Sequence, residues 1–404
     1  MIFSAIPDAP FITLGRGKAD SAYFGHPWIY SGAIAGMDEQ VRHGAWVRVK
    51  DSRGRIVGMG TYSACSMIAV RLFTFGPQIV SEPWIRKRIQ AADERRRLLG
   101  LGPGTSTSGY RMVFGESDGL PGLVIDRYAD VFVYQVSTAG AQELVPVVER
   151  ILCEEFAPQA IIFRNDIVSR REEGLSLEKG LAAGICDAPV LFLENGLRFV
   201  SDCLHGQKTG FFLDQRELRG YVRALAQGRR VLNLFSYSGA FAVAAMAGGA
   251  HGVHNVDGSA EALALLEEHA RINGLSPEQV STRQADVFSW LKEAPKGRYD
   301  MVILDPPALI KTREDLAHGR NAYYYLNKAA LSLLDEGGLL VTSSCSRWFS
   351  EDDLFFTLRR ASTHNGQILS TLIRTGQALD HPVSIHFPEA AYLKSLVLMA
   401  HARA

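Results

Sequence analysis

With 404 residues, 47% of them hydrophobic and 21% charged, the chain has an ordinary globular make-up but is too long for one hydrophobic core, so two or three domains are expected. A formal net charge of zero argues, taken alone, against a polyanion partner, yet residues 1–100 carry 14 Lys/Arg against 8 Asp/Glu, an excess of +6 that the remainder offsets. No uncharged apolar run approaches the length of about eighteen residues that spans a bilayer. The first ten residues lack a basic start and an apolar run, so no secretory signal is expected. The five scattered cysteines form no C-x-x-C pair, which argues against disulfides and structural zinc and for a reducing cytoplasm.

Taken in chain order, residues 44–75 alternate short apolar and polar positions around the turn Asp51-Ser52-Arg53-Gly54, with Val47 and Val49 set against Arg48 and Lys50. This predicts a small antiparallel barrel or sheet. Residues 83–99 have a helical period and hold Arg86, Lys87, Arg88, Arg95, Arg96 and Arg97, a pattern that suits either a solvated face or a phosphate-contacting one. The Gly-, Ser- and Thr-rich stretch 101–109 reads as a linker. Strands are expected at 123–125, 131–136 and 160–163 and a helix over about 141–156, an α+β segment too small to be an enzyme alone. Past a Gly- and Pro-containing passage at 180–189 the rhythm changes. From Arg230 onward, apolar runs at 231–235, 252–256, 280–284, 301–304 and 339–342 alternate with helices, one at 240–247 and one capped by Ser259 and ended by Asn273-Gly274. Such alternation specifies a parallel sheet with helices on both sides.

In such a sheet, ligands sit at the carboxyl ends of the strands. The first strand ends in Asn233-Leu-Phe-Ser-Tyr-Ser-Gly239, where Gly239 permits a tight turn, and the second in Asp257, 24 positions after Asn233, the spacing of a ribose-binding acid. The third ends in Asp286 and the fourth in Asp305-Pro306-Pro307. A lone strand-ending Asp is most often a helix cap; four polar ends in order carry a stronger meaning. Two carboxylates without a phosphate-binding glycine loop suit a nucleoside lacking phosphates, such as S-adenosylmethionine, with Asp257 on its ribose and Asp286 on its adenine amine. Asn233, Phe235, Ser236, Tyr237, Gly239, Ser259 and Val287, which flank these ends, complete the expected cofactor-binding set. Pro306 and Pro307 stiffen their loop and remove two backbone donors, leaving carbonyls and Asp305 to accept hydrogen bonds from a planar base.

Cys345 lies in Ser343-Ser-Cys-Ser346, at the end of the fifth strand and 40 positions beyond Asp305, just before the capping box Ser350-Glu-Asp-Asp353. A small buried core cysteine is the plain alternative. At a catalytic sheet edge, a thiolate can add to carbon 6 of a pyrimidine and turn it into an enamine nucleophilic at carbon 5. That demands a thiol held below its ordinary pKa of about 8.5. Asp305 would then keep ring nitrogen 3 protonated.

With these elements in place, the chain resembles the PUA-domain family of large-subunit ribosomal RNA cytosine-5 methyltransferases. The resemblance covers nearly the whole chain, through His26-Pro-Trp-Ile-Tyr-Ser-Gly32, Gly115-Glu-Ser-Asp-Gly-Leu-Pro-Gly122, His205-Gly-Gln-Lys-Thr-Gly-Phe-Phe-Leu-Asp-Gln-Arg216, Ser344-Cys-Ser346, His381-Pro382 and Tyr392-Leu-Lys394. It implies an α/β protein with a class I (Rossmann-like) S-adenosylmethionine-dependent methyltransferase domain at 191–404. A PUA-type β-barrel at 1–78 and a small central α+β domain at 79–190 would precede it. It also implies that Lys208, Thr209, Phe211 and Arg216 lie over the cofactor and that Cys345 is the nucleophile. Large-subunit ribosomal RNA is the implied partner, with no membrane and no metal; a homodimer is left open. Trp28 and Tyr30 are candidates for base stacking, against the alternative of a buried aromatic pair. Where relatives often carry Lys directly after Asp-Pro-Pro, this chain has Ala308, and its next Lys is Lys311. Two other readings stand beside this one: methylation of an exocyclic purine amine without a covalent step, and an RNA-binding assembly factor without catalysis.

Overall fold

The alternation at 44–75 belongs to a six-stranded sheet that begins further upstream. In the computed structural model, which describes residues 8–187, 189–294 and 299–403, its strands are β1 (Phe11–Leu14), β2 (Trp28–Tyr30), β3 (Ile34–Met37), β4 (Trp46–Lys50), β5 (Ile56–Tyr62) and β6 (Ile68–Phe75). The reading of the N-terminus falls partly on residues 1–7, and that of the 180–189 passage partly on residue 188, which lie outside the described residues. The strand order is β2-β6-β5-β4-β1-β3. Val47 and Val49 point into the barrel core with Ile12, Leu14, Val57, Val70 and Leu72, while their neighbours face outward, as the pleat requires.

Helix α1 (Glu82–Leu98) follows, and its cations are mostly committed to acids far along the chain. Arg86 pairs with Glu82, Glu154 and Glu155, Arg95 and Arg96 with Asp118, and Arg97 with Asp93. The stretch 101–109 is not a free linker. Leu101 and Thr107 are buried, and Thr105 Oγ1 bonds the carbonyls of Gly102 and Thr107, so a local hydroxyl network holds what composition suggested was flexible.

A five-stranded sheet comes next: β7 (Gly109–Phe114), β8 (Leu123–Tyr128), β9 (Val131–Val136), β10 (Ala160–Asn165) and β11 (Glu178–Gly184), in the order β11-β10-β9-β8-β7. The helix expected over 141–156 is interrupted. A short turn of helix at Ala139–Gln142 stops, and α2 (Val145–Phe156) restarts with Pro146 in its first turn, where the missing N–H costs nothing.

Two short strands, β12 (Val190–Glu194) and β13 (Leu197–Ser201), precede the last part of the fold. There β14 (Arg230–Leu234), β15 (Gly252–Asp257), β16 (Val280–Gln284), β17 (Tyr299–Leu304), β18 (Leu334–Ser344), β19 (Gln367–Thr375) and β20 (Lys394–Ala402) form one sheet in the order β16-β15-β14-β17-β18-β20-β19. The five strands expected from sequence are the parallel ones; β19 and β20 add an antiparallel edge. Helices α3 (Arg216–Leu225), α4 (Ala240–Ala247) and α5 (Ala260–Ile272) cover one face with Val231, Met301 and Ile303. Helices α6 (Val287–Glu293), α7 (Leu316–Ser332) and α8 (Glu351–His364) cover the other with Leu232, Leu234 and Leu304. Alternate residues of the central strands β14, β17 and β18 therefore serve opposite cores, which is why these read as apolar runs, whereas β16 at the sheet edge buries only Val280.

The chain divides into two compact units, Met1–Glu194 with Val200–Leu213 and Leu379–Ala390, and Asn195–Phe199 with Asp214–Ala378 and Ala391–Ala404. Within the first, Arg96 and Asp118 form a fully buried bidentate pair at 2.8 Å on both arms, and Arg96 also bonds the Asp380 carbonyl at 2.7 Å. Burial alone would raise the Asp118 carboxyl, but Arg96 and Arg95 hold it below its ordinary range. Its stabilising effect is therefore complete above the unfolded carboxylate pKa of about 3.9 and is lost as pH falls through the lower folded value. Asp118→Ala should cost about 3–5 kcal/mol by leaving Arg96 uncompensated, read as a lowered urea midpoint at neutral pH. That deficit should shrink in acid; equal midpoints at neutral pH would contradict it.

Candidate active site

The parallel sheet of the second unit has its topological switch between β14 and β17: β15 and β16 lie on one side of β14, β17 and β18 on the other. The crevice beyond these strand ends is where an open α/β sheet accepts a ligand. The registers Leu234↔Val256, Leu234↔Leu304 and Leu304↔Thr342 bring the following residues to one edge. Asp305 thus leaves β17 beside the end of β14, and Cys345 leaves β18 on Asp305's other flank, in strands about 4.8 Å apart.

The turn after β14 is strained. Phe235 and Tyr237 have φ of 56° and 45°, and Gly239 has φ of 73°. A Cβ on Gly239 would lie 2.2 Å from Leu266 Cγ, so glycine is required by both conformation and space. Asp257 braces this turn, accepting from the Tyr237 N–H at 2.8 Å and the Ser259 N–H at 2.9 Å. Ser259 caps α5, and Asp286 caps α6 through the Ser289 N–H, so the helix-cap role of these residues is present in the structure. A carboxylate offers about four acceptor positions, so both aspartates keep capacity for hydroxyl or amine donors. Asn233 is buried, its amide donating to Asn255 Oδ1 at 3.0 Å; Val287, the first residue of α6, is buried in the core. The Ser236 hydroxyl is buried without a partner in the same turn. Acids, an orphan hydroxyl and a glycine-bent turn suit a nucleoside without phosphates.

Gln215, at the start of α3, donates to Asp305 Oδ1 at 2.8 Å, while its own Oε1 is buried with no partner. Pro306 is buried and Pro307 exposed. Ala308 is half-buried and Lys311 exposed. Just before Lys311, the Ile310 N–H bonds Ser346 Oγ at 3.1 Å, which ties the Asp-Pro-Pro loop to the Ser-Cys-Ser segment.

Cys345 is half-buried between two fully buried serines. Ser344 Oγ donates to the Tyr323 phenol at 2.8 Å, and that phenol meets Ser346 Oγ at 2.9 Å. Tyr323 is itself buried and stacked on Phe349 with centroids 4.4 Å apart. Burial raises its pKa, with the two serines opposing, so it remains a neutral phenol able to hold both hydroxyls. Lys394, opposite Ser344 on β20, donates its ammonium to the Ser346 carbonyl at 2.7 Å. Burial pushes Lys394 below the usual lysine range, while the neighbouring Cys345, Glu351 and Asp353 push it back up. Sequence reading quoted Lys394 in a motif without a role, and passed over Tyr323 and Gln215; the strand pairing and helix packing that bring them to Cys345 and Asp305 involve residues distant in sequence.

The whole chain has close counterparts. Over 387 residues it is 35% identical to "Ribosomal RNA large subunit methyltransferase I" of Escherichia coli O139:H28, covering 95% of this chain and 97% of that one. The protein of the same name from Klebsiella pneumoniae MGH 78578 is 35% identical over 389 residues, with the same coverages. The chain belongs to the ribosomal RNA large subunit methyltransferase I family. A family model described as an S-adenosylmethionine-dependent methyltransferase matches residues 183–362, and one described as a PUA-like domain matches 12–75. Two solved structures share the fold: a methyltransferase complexed with SAH, at TM-score 0.83 and 22% identity, and a SAM-dependent methyltransferase from Streptococcus mutans, at 0.81 and 21%. Each covers 96% of this chain and 99% of its own. Like its family, the chain is an S-adenosylmethionine-dependent methyltransferase with an N-terminal PUA-like domain.

Lys208, Thr209 and Phe211 belong to the first unit and Arg216 to the second. Thr209 donates to Asp126 at 2.5 Å and meets the Tyr128 hydroxyl at 3.0 Å; Lys208 lies over the Phe212 ring; Phe211 packs on Phe192. Arg216 is buried at the start of α3 and contacts Glu217. Trp28 is held by its indole N–H to Glu116 at 2.8 Å and by edge contact with Phe387, whereas Tyr30 is exposed on the rim of a hollow of about 430 Å³. Among the described residues no helix is long and apolar enough to cross a membrane.

Gly239→Ala should destabilise the protein by about 1–3 kcal/mol and weaken binding of S-adenosylhomocysteine, measured together by urea unfolding and calorimetry. Wild-type values in both would contradict the bent-turn account.

Proposed function

We propose that this methyltransferase forms 5-methylcytosine in large-subunit ribosomal RNA through a covalent adduct at Cys345. The single observation that carries the reading is a half-buried thiol at the carboxyl end of β18, next to Asp305-Pro-Pro on β17, with both flanking serines locked. A purely structural cysteine would need none of that polar scaffolding.

In this mechanism, the Cys345 thiolate adds to carbon 6 of a cytosine swung out of its stack. Lys394 supplies the nearby positive charge that favours the thiolate, set against the acids Glu351 and Asp353 and the neutral Tyr323. Asp305, oriented by Gln215, holds the proton on ring nitrogen 3 as electrons move toward it. Asn233, Phe235, Ser236, Tyr237, Gly239, Asp257, Ser259, Asp286 and Val287 would hold S-adenosylmethionine, and Lys208, Thr209, Phe211 and Arg216 keep the role that the family resemblance implies. When bound, that cofactor supplies an electrophilic methyl to carbon 5. Loss of the carbon 5 proton to a base then lets the carbon–sulfur bond break, returning the thiolate and restoring the aromatic ring. Pro306 and Pro307 border the base, and Tyr30 and Trp28 serve the RNA. Residues 1–78 and 79–190 are assigned to RNA binding and support, and 191–404 to catalysis. A ribosomal RNA substrate sets the reaction in the cytoplasm.

Cys345→Ala should bring methylation of large-subunit ribosomal RNA below detection while S-adenosylhomocysteine binding stays within about twofold. Retention of most turnover would favour an exocyclic amine as the target. Lys394→Met should lower kcat about tenfold at neutral pH and move the acidic limb of the pH–rate profile upward, approaching wild type in alkali. An unshifted limb would remove Lys394 from the account.

A further inference from the structure

On α1 the acids reached by Arg86, Arg95, Arg96 and Arg97 leave one half-buried cation over. Arg88 has no acid or hydrogen-bond acceptor among the described residues, and its guanidinium rests 4.9 Å from the Trp84 ring centroid. Burial and the neighbouring Arg95 both push its pKa below the ordinary arginine value, the signature of a cation kept without a counter-charge. Arg88 lines a groove of about 580 Å³ inside the first unit, between the β-barrel wall, the Gly115-Glu-Ser-Asp118 turn and residues 384–387. Ser117 lines the same groove, and its hydroxyl is buried without a partner among the described residues. The groove's carboxylates are already engaged: Asp118 by Arg95 and Arg96, Glu116 by the Trp28 indole. Counting Arg96 behind Asp118, three cations face two acids, an excess of one positive charge; Arg95 and Arg96 share Asp118, and Arg88 forms an ion pair with neither acid. The opposite rim is aromatic, with Phe24 77% exposed and Phe75 40% exposed.

A lone cation, an orphan hydroxyl donor and a bare aromatic ring are the complement of one nucleotide: phosphate for the first two, base for the third. We propose that this groove holds a single unpaired nucleotide of the RNA substrate, its phosphate on Arg88 and Ser117 and its base stacked on Phe24. The assignment rests on the RNA reading above and concerns a nucleotide other than the cytosine being methylated. Unpaired RNA is favoured over duplex because a base in a helix has no free face for Phe24.

The test uses the full chain and a short fluorescein-labelled single-stranded RNA, followed by anisotropy across a salt series. Arg88→Gln should weaken binding about tenfold and flatten the log–log salt slope by about 0.7, the loss of one phosphate contact to a single strand. Arg88→Lys should keep the slope. Phe24→Ala, at an exposed position that leaves folding untouched, should weaken binding about tenfold with the slope unchanged. S-adenosylhomocysteine affinity should stay at wild type in all three. If the wild type binds and methylates RNA while Arg88→Gln and Phe24→Ala match its affinity and slope, the groove assignment falls and the function stands. If the wild type binds no RNA, both fall.

Discussion

One buried phenol organises the reactive edge of this enzyme. Tyr323 takes the hydroxyls of Ser344 and Ser346, stacks on Phe349, and so fixes the backbone on both sides of Cys345. Ser346 also receives the Ile310 N–H from the Asp-Pro-Pro loop, and its carbonyl receives the Lys394 ammonium. Three elements that share no local sequence, α7, the loop after β17 and β20, therefore converge on one tripeptide. Fully satisfied buried polar networks of this kind select a single geometry, because breaking any one bond strands its partner. The thiol between the two serines inherits that geometry.

The β14 side of the crevice is built on a different constraint, a backbone bent where side chains resist bending. Phe235 and Tyr237 are held at positive φ, a cost of order 1–3 kcal/mol each that surrounding structure must offset. Asp257 does so by bonding the Tyr237 N–H, and Leu266 closes the space that any side chain on Gly239 would need. The same carboxylate thus shapes the turn and presents acceptors to whatever lies in it. A residue that looks like a cap and a residue that looks like a ligand need not be alternatives.

Much of this was legible from the residues themselves. The central parallel strands stood out because burial on both faces makes them continuous apolar runs, and the acids stood out because each ends or follows a strand of the series. Strand β19 escaped notice because it is an edge strand with most side chains half-buried or exposed, and β20 because no α-helix separates it from β19 to complete a βαβ rhythm. The role of Lys394 was hidden for the same reason: only the antiparallel pairing of β20 with β18 sets it opposite Ser344. Charge on α1 misled in a complementary way. Its arginines suited a solvated face or a phosphate-contacting one equally, but Asp118, Glu154 and Glu155, which neutralise most of them, lie 20 or more positions away. Composition shows how many cations there are, and folding decides which remain unmatched.

The central claim is that a carbon–sulfur bond joins Cys345 to the target cytosine during turnover. Ribosomal RNA carrying 5-fluorocytidine, incubated with the enzyme and S-adenosylmethionine, tests it most directly, since fluorine at carbon 5 cannot leave as a proton and the adduct cannot resolve. The account predicts a stable protein–RNA complex whose cross-linked peptide, sequenced by mass spectrometry, contains Cys345. Methylated product with no trapped complex, or a cross-link at another residue, would contradict it.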